Sequence, residues 1–147
     1  VELGAYAGMR AAVQDGTVRV LVLDSLPRSS DELMNAGISQ HTGVTNNIIL
    51  SVARWATRLY FMGRYQNGSS CQMASELKNA RVLLLAGADD GYLRDSTAAA
   101  QPCFPIHANV ESKLDLPLTG FTLPSATGEQ GEGYDRPVID FFSKNLQ

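Results

Sequence analysis

The stretch "RVLLLAGADD", Arg81 to Asp90, decides how the chain folds. Its apolar residues run unbroken from Val82 to Ala86 and stop at Gly87 and a pair of acids. A half-exposed strand alternates apolar with polar residues. An unbroken short run is buried on both faces, as in a parallel sheet with helices on each side. "TVRVLVLDS" (17–25) has the same character and reads as a second strand of this kind.

Helical segments surround these strands. "AYAGMRAAVQD" (5–15) is a helix ended by Gly16. "LPRSSDELMNAGISQHTG" (26–43) reads mostly as loop, with a short helix at 30–36. "VTNNIILSVARWATR" (44–58) places Ile48, Ile49, Val52, Ala53 and Ala56 at helical spacing, with Thr45 or Asn46 to cap its start. "LYFMG" (59–63) then reads as a short strand, and "SSCQMASELKNA" (69–80) as a helix capped by Ser69 or Ser70. A helix over 94–101 is stopped by Pro102 and Pro105. "ESKLDLPLTGF" (111–121) is the fourth strand, weakened by Pro117, and "TLPSATGEQGEGYD" a Gly-rich loop. The closing helix, "EGYDRPVIDFFSKNL", carries an apolar stripe of Val138, Ile139, Phe142 and Leu146. Trp55, Phe141 and Phe142 are core candidates. Strands alternating with helices predict an α/β fold in one domain over 1–147: an open, mainly parallel sheet flanked by helices.

Composition narrows the function classes. The 147 residues are 44% hydrophobic and 18% charged, with a net charge of −3, which suits a soluble globular protein. No basic stretch is dense enough to follow a phosphate backbone, so no nucleic-acid partner is expected. No apolar run approaches the roughly 18 residues of a membrane span, and no membrane partner is expected either. The chain begins "VELGAYAGMR", without a starting Met or a signal-peptide pattern, and reads as mature, trimmed or incomplete. Its two cysteines, Cys71 and Cys103, are too few for a disulfide scaffold and read as two buried thiols in preference to a bridge. The compartment stays open. No His/Cys/Asp spacing resembles a metal site and no nucleotide-binding glycine motif is present, so no cofactor is expected.

Ligands of open parallel sheets sit beyond the carboxyl ends of the strands. That rule selects Asp24-Ser25, "GRYQNGSS" (63–70), "GADD" (87–90) and "TGF" (119–121).

The segments "RVLVLDSLPR", "YFMGRYQNGSS", "VLLLAGADD" and "YDRPVIDFFSKNL" stand in the order and spacing of α/β-hydrolases. The chain resembles their dienelactone-hydrolase-like branch, in shortened form, over about residues 18–146. The resemblance implies hydrolysis of small esters or lactones. It aligns Gly63 to Gly68 with the nucleophile turn, with Tyr65 where Ser or Cys stands in the family and Asn67 two residues later. Asp90, three residues after Gly87, takes the acid position, and Thr119 stands where the family has its histidine. The strand and loop that supply half of the oxyanion hole are missing. The catalytic candidates under this reading are Asp90 as acid, Ser69, Ser70 or Cys71 as displaced nucleophile, and His107 as base. Asp24, Arg28, Gly63, Tyr65, Gln66 and Thr119 are the ligand-binding candidates.

Several of these residues have a plainer reading. Ser69 and Ser70 are helix caps, Tyr65 packs on the sheet edge, Asp24 and Arg28 form an ion pair bracing their loop, and His107 is a surface or packing histidine. Asp89 and Asp90 are either a carboxylate pair or solvated loop acids. Two other functional readings stand beside hydrolysis. One is a noncatalytic or flavodoxin-like small-ligand-binding domain, with "DSLPRSS" and "GRYQNGSS" holding a phosphate. The other is an incomplete piece of a larger hydrolase, whose exposed sheet edge is expected to drive homo-oligomers.

Overall fold

The computed structural model describes residues 1–62, 68–77, 79–88, 90–117 and 128–146. Three parallel strands form its sheet: β1 (Val20–Asp24), β2 (Arg81–Gly87) and β3 (Asn109–Leu116), in that spatial order. Val20 pairs with Arg81 and Arg81 with Asn109, so the strands start level and their carboxyl ends gather on one edge. β2 is central and buried along Val82 to Gly87, as its unbroken apolar run requires.

Alternate side chains of the strands feed two cores. Leu23, Val82 and Leu84 pack with Met9 of α1 (Leu3–Gln14) and with Met73 and Ala74 of α4 (Ser70–Glu76). Ala100 of α5 (Tyr92–Ala100) and Phe104 close that side. Leu83 and Leu85 face the other way, onto Tyr134 and Phe141 of α6 (Glu129–Asn145), which lies across all three strands. Two further helices, α2 (Ser30–Thr42) and α3 (Asn47–Tyr60), are inserted between β1 and α4.

The structure corrects the sequence reading at several places. Residues 59 and 60 of "LYFMG" finish α3, Phe61 caps it, and Met62 turns away at φ 48°. The apolar run was ambiguous between periods, and the preceding helix takes in its first two residues. α2 spans 13 residues where a short helix was expected. Ser29 accepts from the Glu32 N–H at its start, and Gly43 at φ 68° ends it. β3 begins two residues early and stops at Leu116, just before Pro117. The inward stripe of α6 is Tyr134, Val138 and Phe141, while Ile139 and Leu146 are exposed. Trp55 is not core: it is 64% exposed.

Cys71 and Cys103 form a disulfide with their Cα atoms 5.1 Å apart, so the expected thiols and the candidate cysteine nucleophile are both overturned. Neighbouring helical turns bring the two cysteines together: Cys71 is in α4, and Cys103 ends the 3₁₀ turn after α5.

Candidate functional site at the carboxyl edge of the sheet

The ends of β1 and β2 meet in one hydrogen-bonded group. Asp24, the last residue of β1, is buried. The Ser25 hydroxyl lies between Asp24 Oδ1, at 2.9 Å, and Asp90 Oδ2, its one hydrogen shared between the two carboxyl groups. Tyr134 of α6 donates to Asp24 Oδ2 at 2.5 Å. Both oxygens of the buried carboxylate are thereby bonded, which offsets the cost of taking the group out of water. Asp90 is held by its own N–H on the Gly87 carbonyl at 3.2 Å, and its carbonyl accepts from the Leu93 N–H at 3.1 Å. Gly91 at φ 53° then lets the chain turn sharply into α5.

Two non-glycine residues beside this group adopt the left-handed region. Ser25 has φ 56°, and Glu2, at the start of α1, has φ 47° and ψ −110°. Each such residue costs on the order of 1–3 kcal/mol and persists where its surroundings impose it. Here main-chain bonds impose it: the Glu2 N–H donates to the Asp24 carbonyl at 2.9 Å, and the Ser25 N–H to the Leu85 carbonyl at 2.9 Å.

Proton affinities are shifted across the group. Burial raises the Asp90 carboxyl above its ordinary value; the Ser25 hydroxyl opposes the rise and the Asp24 charge adds to it. Burial also raises Glu2, with Asp90 and then Asp24 contributing. Tyr92, which opens α5, is pushed up to about 12 by burial and by the charges of Glu2, Glu32 and Asp90. Tyr134 rises through burial and its bond to Asp24.

Tyr92 also links the group to an open groove of about 570 Å³ between α2, α3 and the start of α5. Asp31, Glu32, Asn35 and Arg54 line it. Glu32 is fixed there by accepting from the Ser96 hydroxyl at 3.1 Å and from the Arg28 N–H at 2.6 Å. Asn35 Oδ1 is buried without a hydrogen-bond partner among the described residues.

Of the residues singled out in the sequence, the structure brings Asp24 and Asp90 together through Ser25. It does not bring Asp24 to Arg28: no ion pair joins them, because Ser25 and Tyr134 occupy the carboxylate and Arg28 is exposed. Ser70 is buried with its hydroxyl on the Pro27 carbonyl, and Ser69 is the residue before α4. His107 is exposed in the turn before β3, at the amino edge. Eight residues of β3, roughly 25 Å, separate that edge from the carboxyl edge where Asp90 sits. Gly63, Tyr65, Gln66, Asn67, Asp89 and Thr119 lie outside the described residues.

Sequence reasoning missed Glu2, Tyr92 and Tyr134. For Glu2 a signal existed: "VELGAYAG" sets Gly4 two residues after it, at the start of a helix rich in small residues. The two tyrosines carried no pattern of their own.

The chain matches no protein-family model, no curated protein and no solved structure. Among the described residues no group of three or more His, Cys, Asp or Glu side chains is arranged to hold a metal ion, and no helix is long and apolar enough to cross a membrane.

Proposed function

We propose that the chain is an α/β-hydrolase-related domain that binds a small hydroxyl-bearing ester or lactone at the carboxyl edge of its sheet, without serine–histidine cleavage. The observation that carries this reading is the pair of strained residues, Glu2 and Ser25, at the end of β1. Strain of this kind collects at ligand and catalytic sites. Glu2 opens α1 on a sharp turn, and the reacting residue of an α/β-hydrolase likewise sits on a strained turn into a helix. The surroundings favour a ligand that brings donors: Glu2, Glu32, Asp90 and the unpartnered Asn35 oxygen all accept. Arg54, across the groove, suits the carbonyl end. Serine chemistry fits poorly, since Ser70 is buried on a carbonyl and His107 is at the far edge.

The test is an equilibrium titration with hydroxylated lactones and small esters, together with fluorophosphonate labelling of the folded protein. Saturable binding is expected, weakened about tenfold, or 1.4 kcal/mol, in Glu2→Gln and in Asp90→Asn, with no adduct on Ser69 or Ser70. An adduct on either serine, or no saturable binding by any compound, overturns the proposal.

A further inference from the structure

Helix α3 is mounted inside out. Its inward face is Leu50, Ala53, Arg54 and Thr57, mostly small or polar, set against α2. Thr57 donates to the Met34 sulfur at 3.5 Å, and Arg58 and Arg54 approach Asp31 at 3.3 and 3.9 Å. Its outward face carries Ile48, Val52, Trp55 and Leu59, continued by Met62 just past the helix end, and these are 57–89% exposed. An amphipathic helix on a lone soluble protein turns the other way.

We propose that this face is where two copies of the chain associate, with the α3 helices antiparallel about a two-fold axis at Trp55. The spacing supports a partner helix: Ile48, Val52, Trp55, Leu59 and Met62 follow one another at intervals of 4, 3, 4 and 3 residues, the seam of a coiled coil. The seam also suits itself. Ile48 and Met62 lie seven residues either side of Trp55, and Val52 and Leu59 three and four, so an antiparallel copy sets each end against the other. The five seam side chains together form an uncovered apolar surface of the kind that marks a protein–protein contact. Charge agrees: the arginines of α3 are turned to Asp31, leaving the seam uncharged, and the chain's net −3 opposes an anionic lipid surface as the alternative cover.

Sedimentation over a range of protein concentrations tests the pairing. The mass is expected to double with concentration for the native protein and to stay that of one chain for Trp55→Glu, whose helical circular dichroism is unchanged. Mild oxidation of Trp55→Cys is expected to yield a covalent dimer, because a residue on the axis meets its own copy. A native protein that stays monomeric overturns the proposal, as does a dimer that survives Trp55→Glu. Binding to lipid vesicles without self-association overturns it in favour of a membrane surface.

Discussion

The Tyr134 hydroxyl donates to the Asp24 carboxylate at 2.5 Å, joining α6 to the end of β1 below the candidate site. The contact fixes the acid that Ser25 in turn shares with Asp90. Tyr134→Phe keeps the ring in its core and removes only the donor, leaving one oxygen of a buried carboxylate unpaired. A loss of about 1–3 kcal/mol is expected, read as a lower urea midpoint at unchanged slope. An unchanged midpoint means that Asp24 does not depend on α6.

Asp90 and Glu2 make stability depend on acidity with a definite sign. Both carboxyls hold their protons more tightly folded than unfolded, so their contribution is complete below the ordinary values of 3.8 and 4.5. It declines as pH rises through the raised folded values. Asp90→Asn removes one of the two titrations. The difference in stability between Asp90→Asn and the native protein is therefore expected to move in favour of the variant from pH 3 to pH 7. Parallel curves contradict the raised carboxyl.

The Cys71–Cys103 bridge closes a loop of sequence separation 32 and ties α4 to the turn after α5. Loop-closure entropy assigns about 3–4 kcal/mol to a bridge of this length. Unfolding with and without reductant, compared with the double Cys71→Ser, Cys103→Ser protein, is expected to show that loss. Equal stability in both conditions rules out a stabilising bridge.

Tyr6 holds the chain just ahead of α4. Its hydroxyl donates to the Gly68 carbonyl at 2.8 Å and accepts from the Gly68 N–H at 2.9 Å. Tyr6→Phe is expected to cost about 1–2 kcal/mol and to speed amide exchange at Gly68. Unchanged exchange at Gly68 refutes the clamp.

Much of the fold is written in residue patterns that burial makes obvious. β1 and β2 are covered on both faces, so "VLVLD" and "RVLLLAG" carry no polar interruption. β3 is an edge strand with a polar outer register, and Pro117 marked only where it stops. α3 misled because its apolar face points outward: its pattern gives the period of a helix but not the direction of the core. The position of Asp90 at the carboxyl edge was readable from its place after a buried strand. The turn at Glu2 was legible only as Gly4 two residues on; its strain was not, since that comes from the main-chain bond between Glu2 and Asp24, far apart in sequence.

The most direct measurement is an amide chemical-shift map of the protein titrated with a hydroxylated lactone. Shifts confined to residues 1–2, 24–25, 32–35 and 90–93 are the predicted result, weakened in Glu2→Gln. Saturable shifts elsewhere, or none at these positions, contradict a ligand site at the carboxyl edge.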